Sequence, residues 1–233
     1  MKIFGLDSPL MRFLDKMTNL IFLNLLTLLL CIPVVTGGAA FTALHYCTLK
    51  LARDQEGALF KQYFHSFKEN FRQATVIWMI TLAMVALIVA DLFLMPQNPT
   101  KISSFVLGGI IVTVIWLFFI GSMVFPILAK FVNTVPGTLK AALVYSFRHF
   151  FSTLLITVVN LLPFALFFIG NIGLMLFPII IVFCFSAPAY LAAKIYDKPF
   201  QEAEDAILAK TAAADDDKKD DDSSNDEPGQ QPS

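Results

Sequence analysis

The chain has 233 residues, 57% hydrophobic and only 15% charged, where a soluble domain carries about a quarter charged residues. That composition excludes an ordinary water-soluble globule and points to lipid. The net charge of −1 hides an asymmetry, because an acidic run from Asp215 to Glu227 offsets a basic remainder, a pattern that bears on membrane topology and not on nucleic acid.

Residues 17–49 contain no Asp, Glu, Lys or Arg. A membrane-spanning helix needs about 20 apolar residues, so this stretch is long for one span. Its middle, Pro33 to Ala39, holds a proline and the pair Gly37-Gly38, which is turn punctuation. Two spans are therefore expected, at about 17–35 and 36–52, with Asn24 inside the first. Next comes the most patterned polar segment. Phe60, Phe64, Phe67 and Phe71 recur at helical spacing, and Lys61, His65, Lys68 and Arg72 repeat it one residue along. An aromatic face beside a cationic one suits an interfacial amphipathic helix at 58–72, lying in the headgroup layer. The alternative is that the Phe stripe packs on the protein's own bundle.

Four more spans are expected at about 74–95, 102–126, 150–170 and 174–193. Asp91 is the one ionisable residue inside a span, near its outer end, and an interfacial carboxylate is favoured there over an ion ligand. Asn160 precedes Pro163 in the fifth span, where the proline frees a backbone carbonyl, so this region is a candidate polar cleft or hinge. Residues 201–233 read as an acidic, largely disordered cytoplasmic tail after a membrane domain at 1–200. Lys and Arg favour the cytoplasmic side. With six spans and cytoplasmic termini, every Lys and Arg except Lys101 falls inside, whereas five spans would strand Lys2, Arg12 and Lys16 outside. The expected fold is thus an all-α, polytopic membrane helix bundle in the cell membrane.

No catalytic constellation is present in the sequence: there is no HExxH, GxSxG or P-loop, and the three cysteines have no metal spacing. No catalytic residue, metal ligand or cofactor is assigned. Three classes of function remain: a non-enzymatic accessory or regulatory component, a transporter or permease subunit, and an intramembrane enzyme acting on lipid or glycan. A polar cavity at the level of Asn24, Asp91 and Asn160 would favour transport.

Pro33-Val34-Val35-Thr36-Gly37-Gly38-Ala39-Ala40, the run Leu49 to Gly57, and the run Phe64 to Thr75 resemble signatures of the YesL family of bacterial membrane proteins. Phe125-Pro126-Ile127-Leu128-Ala129-Lys130-Phe131 is similar to its mid-chain motif, with Lys130 where Arg is more usual. The family is a domain of unknown function, often encoded near carbohydrate uptake and two-component systems. The resemblance therefore implies an accessory role in sugar uptake or sensing, with a sugar ABC permease or a sensor kinase as partner beside the lipid bilayer.

Overall fold

The computed structural model describes the backbone of residues 9–55, 57–94, 101–131, 134–167 and 170–225, and their side chains except those of residues 9, 101–104, 170–174, 176 and 210–225. The described residues are almost entirely helical: α1 (Pro9–Cys31), a 3-10 turn (Val34–Thr36), α2 (Gly37–Ala52), α3 (Leu59–Leu94), α4 (Lys101–Lys130), α5 (Val135–Arg148), α6 (Phe150–Phe167), α7 (Gly170–Phe183) and α8 (Ser186–Asn225). Among them, four helices are long and apolar enough to cross a membrane. They are α1, α3, α4 and α6, and α7 with the start of α8, meeting at 50°, makes a fifth if the bent pair is one span. The count of six rests on α2, whose 16 residues rise only about 24 Å, short of about 30 Å of hydrocarbon.

α1 and α2 form a hairpin. Pro33 holds extended backbone (φ −75°, ψ 106°), and the Thr36 hydroxyl donates to the carbonyls of Leu30 and Pro33, closing the turn that follows. At the far end the Lys16 ammonium meets the Asp54 carboxylate at 2.5 Å, so the start of α1 and the loop after α2 share one side. Lys16 and the further cations Arg12 and Lys194 hold the Asp54 carboxyl below its usual range, the hydrogen bond from Lys16 being the largest cause.

In α3 the segment expected as an interfacial helix is continuous with the third span. No break separates 58–72 from the third span: one helix of 36 residues, about 54 Å long, runs from Leu59 to Leu94. Nothing between Arg72 and Ala74 could stop it, there being neither proline nor glycine. Its inward face is Leu59, Tyr63, Ser66, Ala74 and Ile77. Cys47 Sγ faces the Leu59 carbonyl at 4.0 Å, and an added Cβ on Gly38 would lie 2.5 Å from the Ala74 carbonyl oxygen. The Trp78 indole N–H donates to the Val34 carbonyl at 2.6 Å. The hairpin thus lies antiparallel along the first twenty residues of α3 and its turn reaches the level of Trp78. Met79–Leu94, about 24 Å of apolar helix, extends beyond it.

The core joins Leu23 and Leu26 of α1, Ala43, Leu44 and Cys47 of α2, Leu59 and Tyr63 of α3, and Ala189. Tyr63 is fully buried, and its hydroxyl donates to the Ala40 carbonyl at 3.0 Å and lies 3.0 Å from Thr27 Oγ1. This satisfies a phenol that would be costly in an apolar interior. α5 is an element the sequence reading passed over; Thr134 caps it, accepting from the Gly137 N–H, and Pro136 sits in its first turn. Gly108 and Gly109 have no neighbour within 4 Å of an added Cβ, so the close helix approach that a glycine pair permits is not made there.

The chain divides into two compact units, Met1–Ile195 and Tyr196–Ser233. In the second, α8 continues to Asn225, through residues where no regular structure is expected. Alanines at 206, 209 and 212–214 favour helix and account for the difference. Residues 226–233, and with them Asp226 and Glu227, lie outside the described residues.

Candidate functional site

A cavity of about 340 Å³ opens within the first unit, bounded by α2, α3, α4, α6 and the junction of α7 with α8. Its volume is in the range of small-molecule sites, about 300–1,000 Å³. Aromatic rings dominate the wall. Phe41 in this wall lies 5.7 Å from Trp78, 6.0 Å from Phe125 and edge-on to Phe185 at 5.1 Å, centroid to centroid. Phe118 and Phe164 complete the lining from α4 and α6.

Few polar groups reach this cavity, and most are already committed. The Trp78 indole is bonded to Val34, and Thr81 Oγ1 donates to the Ile77 carbonyl at 3.0 Å. Ser122 Oγ donates to the Phe118 carbonyl at 2.8 Å and accepts from Thr157 at 3.2 Å. His45 lines the cavity, is buried, and makes an interaction of its own within the chain. Asn160 is different: among the described residues its carboxamide has no hydrogen-bond partner, and it lines the cavity. Asn160 is only partly buried, and an amide that faces an apolar wall without a partner keeps hydrogen-bonding capacity that a ligand group could use.

The sequence-derived polar candidates do not converge. Asn24 is fully buried outside the cavity lining, and its amide is used three times. Nδ2 donates to the Ile181 carbonyl at 2.7 Å, and Oδ1 accepts from the N–H groups of Phe185 and Ser186 at 2.9 and 3.2 Å. It therefore occupies the break between α7 and α8, satisfying backbone groups that lipid cannot. Asp91 is exposed near the end of α3, away from the cavity lining. Pro163 sits inside α6, which continues through it to Phe167; the break between helices is at Cys184 and Phe185 instead.

The stripe at 58–72 divides by face. Phe64 and Phe67 pack on the core, while Phe60 and Phe71 are exposed. Lys61, His65, Lys68 and Arg72 are all exposed, His65 lying 3.6 Å from Glu69. This cationic face is not used by the core of the fold. Sequence reasoning missed the cavity residues Phe41, Trp78, Thr81 and Ser122, which no local motif marks. Gly121 lines the open cavity, with nothing within 4 Å of an added Cβ. Among the described residues no three His, Cys, Asp or Glu side chains gather at metal-binding distance.

Residues 17–92 match the family described as "Protein of unknown function, DUF624". The matched segment begins inside α1 and ends two residues short of the end of α3, so it covers the hairpin and the long helix on which it lies. No curated protein and no solved structure matches the chain.

Proposed function

We propose that this membrane protein is a non-enzymatic accessory or regulatory component of carbohydrate uptake or sensing, acting through a partner such as a sugar permease or sensor kinase. It stands in the cell membrane with both termini in the cytoplasm. The observation that carries the reading is the division of α3: its inner face is spent on the core, and its cationic face is held out, rigidly continuous with an apolar span. A surface of that kind serves recognition of acidic headgroups or of an acidic partner face. The link to carbohydrate comes from the YesL resemblance.

The Lys16–Asp54 pair supports an N-terminus on the same side as the loop after α2. The α1–α2 hairpin then enters and returns on the cytoplasmic side, whether or not it crosses fully. A transporter subunit is the second reading, favoured by the broken α7–α8 pair beside the cavity, since interrupted helices line many transport sites. Against it, Asn24 already fills the break and Asp91 lies elsewhere, so a hydrophilic solute would meet few free polar groups.

The test is a crosslinking pull-down of the full chain from native membranes of cells grown with and without plant polysaccharide. Recovery of a sugar permease or sensor kinase, lost when Lys61, Lys68 and Arg72 are replaced by Gln, is the expected result. Recovery of the protein alone under both conditions would contradict the accessory role.

A further inference from the structure

Among the described residues the cavity has few unspent polar groups and a largely aromatic wall, and its position inside a membrane bundle restricts what can enter. A sugar carries a hydroxyl on nearly every carbon, and each needs a partner when removed from water. Here Trp78, Thr81 and Ser122 are bonded within the chain, and among the described residues the Asn160 carboxamide is the strongly polar lining group without a partner, beside the weakly polar Cys184 thiol. A sugar would bury most of its hydroxyls unmade, and a charged solute would fare worse. An apolar chain with a single small polar head group matches the inventory instead.

We infer that this cavity binds a fatty acid drawn from the bilayer, with its carboxyl group on the Asn160 carboxamide and its chain along Phe41, Trp78, Phe125 and Phe164. The pairing is complementary. In so apolar a site the carboxyl is held in its protonated form, which offers one donor and one acceptor. The carboxamide returns its acceptor and one of its two N–H donors, so the two groups join by a cyclic pair of hydrogen bonds. Phe185 belongs to the α7–α8 junction and lines the same cavity, so an occupant touches the element that Asn24 holds. The inference stands apart from the partner reading: any role in carbohydrate uptake would run through another protein, and this cavity would sense or store lipid.

Two substitutions separate the cavity from the general lipid surface. Gly121 lines the cavity and has no neighbour within 4 Å of an added Cβ, so Gly121→Leu starts its side chain in open space and takes up cavity volume. Asn160→Leu removes the polar hook at similar size. The full-length protein is reconstituted in phosphatidylcholine vesicles with a diazirine-bearing palmitic acid, photolysed, and the labelled residues mapped by mass spectrometry. Thermal unfolding of each variant in detergent establishes that it is folded. Saturable labelling on the cavity residues of α3, α4 and α6, competed by oleic acid but not by glucose, is expected. Asn160→Leu should weaken it about tenfold, the effect of about one to two hydrogen bonds, and Gly121→Leu should abolish it. Labelling spread over lipid-facing residues and unchanged in folded Gly121→Leu protein would overturn the inference, as would competition by glucose. Neither result alters which proteins a pull-down recovers, so the two readings fail separately.

Discussion

Asn24 caps Ser186 across 162 positions of sequence: its Oδ1 accepts the Ser186 N–H at 3.2 Å while Nδ2 holds the Ile181 carbonyl on the other side of the break at 2.7 Å. One side chain thus replaces backbone bonds that α7 and α8 lose where they part. Asn24→Leu keeps the volume and strands these groups, which should cost about 2–3 kcal/mol. Thermal unfolding of the detergent-solubilised protein measures it, and an unchanged midpoint would mean the junction has other support.

Gly38 and Gly108 should respond oppositely to the same change. A Cβ on Gly38 would lie 2.5 Å from the Ala74 carbonyl oxygen and 2.6 Å from Trp78 Cβ, so α2 and α3 must separate. Gly38→Ala is expected to destabilise by about 1–3 kcal/mol. Gly108→Ala meets nothing and should be neutral or mildly stabilising, alanine being the better helix former by about 1 kcal/mol. Unfolding midpoints of the two variants check the contrast.

The Lys16–Asp54 pair should give the hairpin a dependence on acid pH. The folded-state carboxyl lies below its usual value, so the contribution is present above the ordinary carboxylate range and is lost as pH falls through the depressed value. Asp54 has φ 54°, which Asn also tolerates, so Asp54→Asn removes charge without adding backbone strain. The wild-type and variant melting curves should differ slightly at neutral pH and converge in acid. The pair is solvent-exposed, so the difference should also shrink in high salt.

The helical membrane character of this chain was legible because hydrocarbon thickness sets a length that α1, α3, α4 and α6 satisfy in apolar residues. The junction at Cys184 and Phe185 was legible only in part: Pro188, in the first turn of α8, has no N–H to bond the Cys184 carbonyl and so marks a helix start, but Asn24, which satisfies the groups freed there, lies at the other end of the chain. The segment 58–72 was legible in part. Its Phe and Lys/Arg periodicity identifies a helical face correctly but says nothing of where the helix ends, and the absence of any stop signal before Leu94 was the better guide. Charge counting had a further blind spot: a hairpin that crosses and one that turns back midway both return Lys50 and Arg53 to the side of Lys16. Asn160 was legible as a polar group in an apolar stretch. The cavity around it was not, because it is assembled from five elements.

The depth of that hairpin is the most direct test of the arrangement, because α3 positions both the cavity and the cationic face against it. In a background without Cys31, Cys47 and Cys184, single cysteines at Val35, Gln62 and Gln97 are exposed to a membrane-impermeant maleimide. Gln97, outside the described residues, is expected to label from the external face, and Gln62 only after permeabilisation. Val35, exposed at the hairpin turn and level with Trp78, should resist external reagent because Met79–Leu94 still lies between that level and the outer surface. External labelling of Val35 as readily as of Gln97 would contradict this, and would establish α1 and α2 as two complete spans.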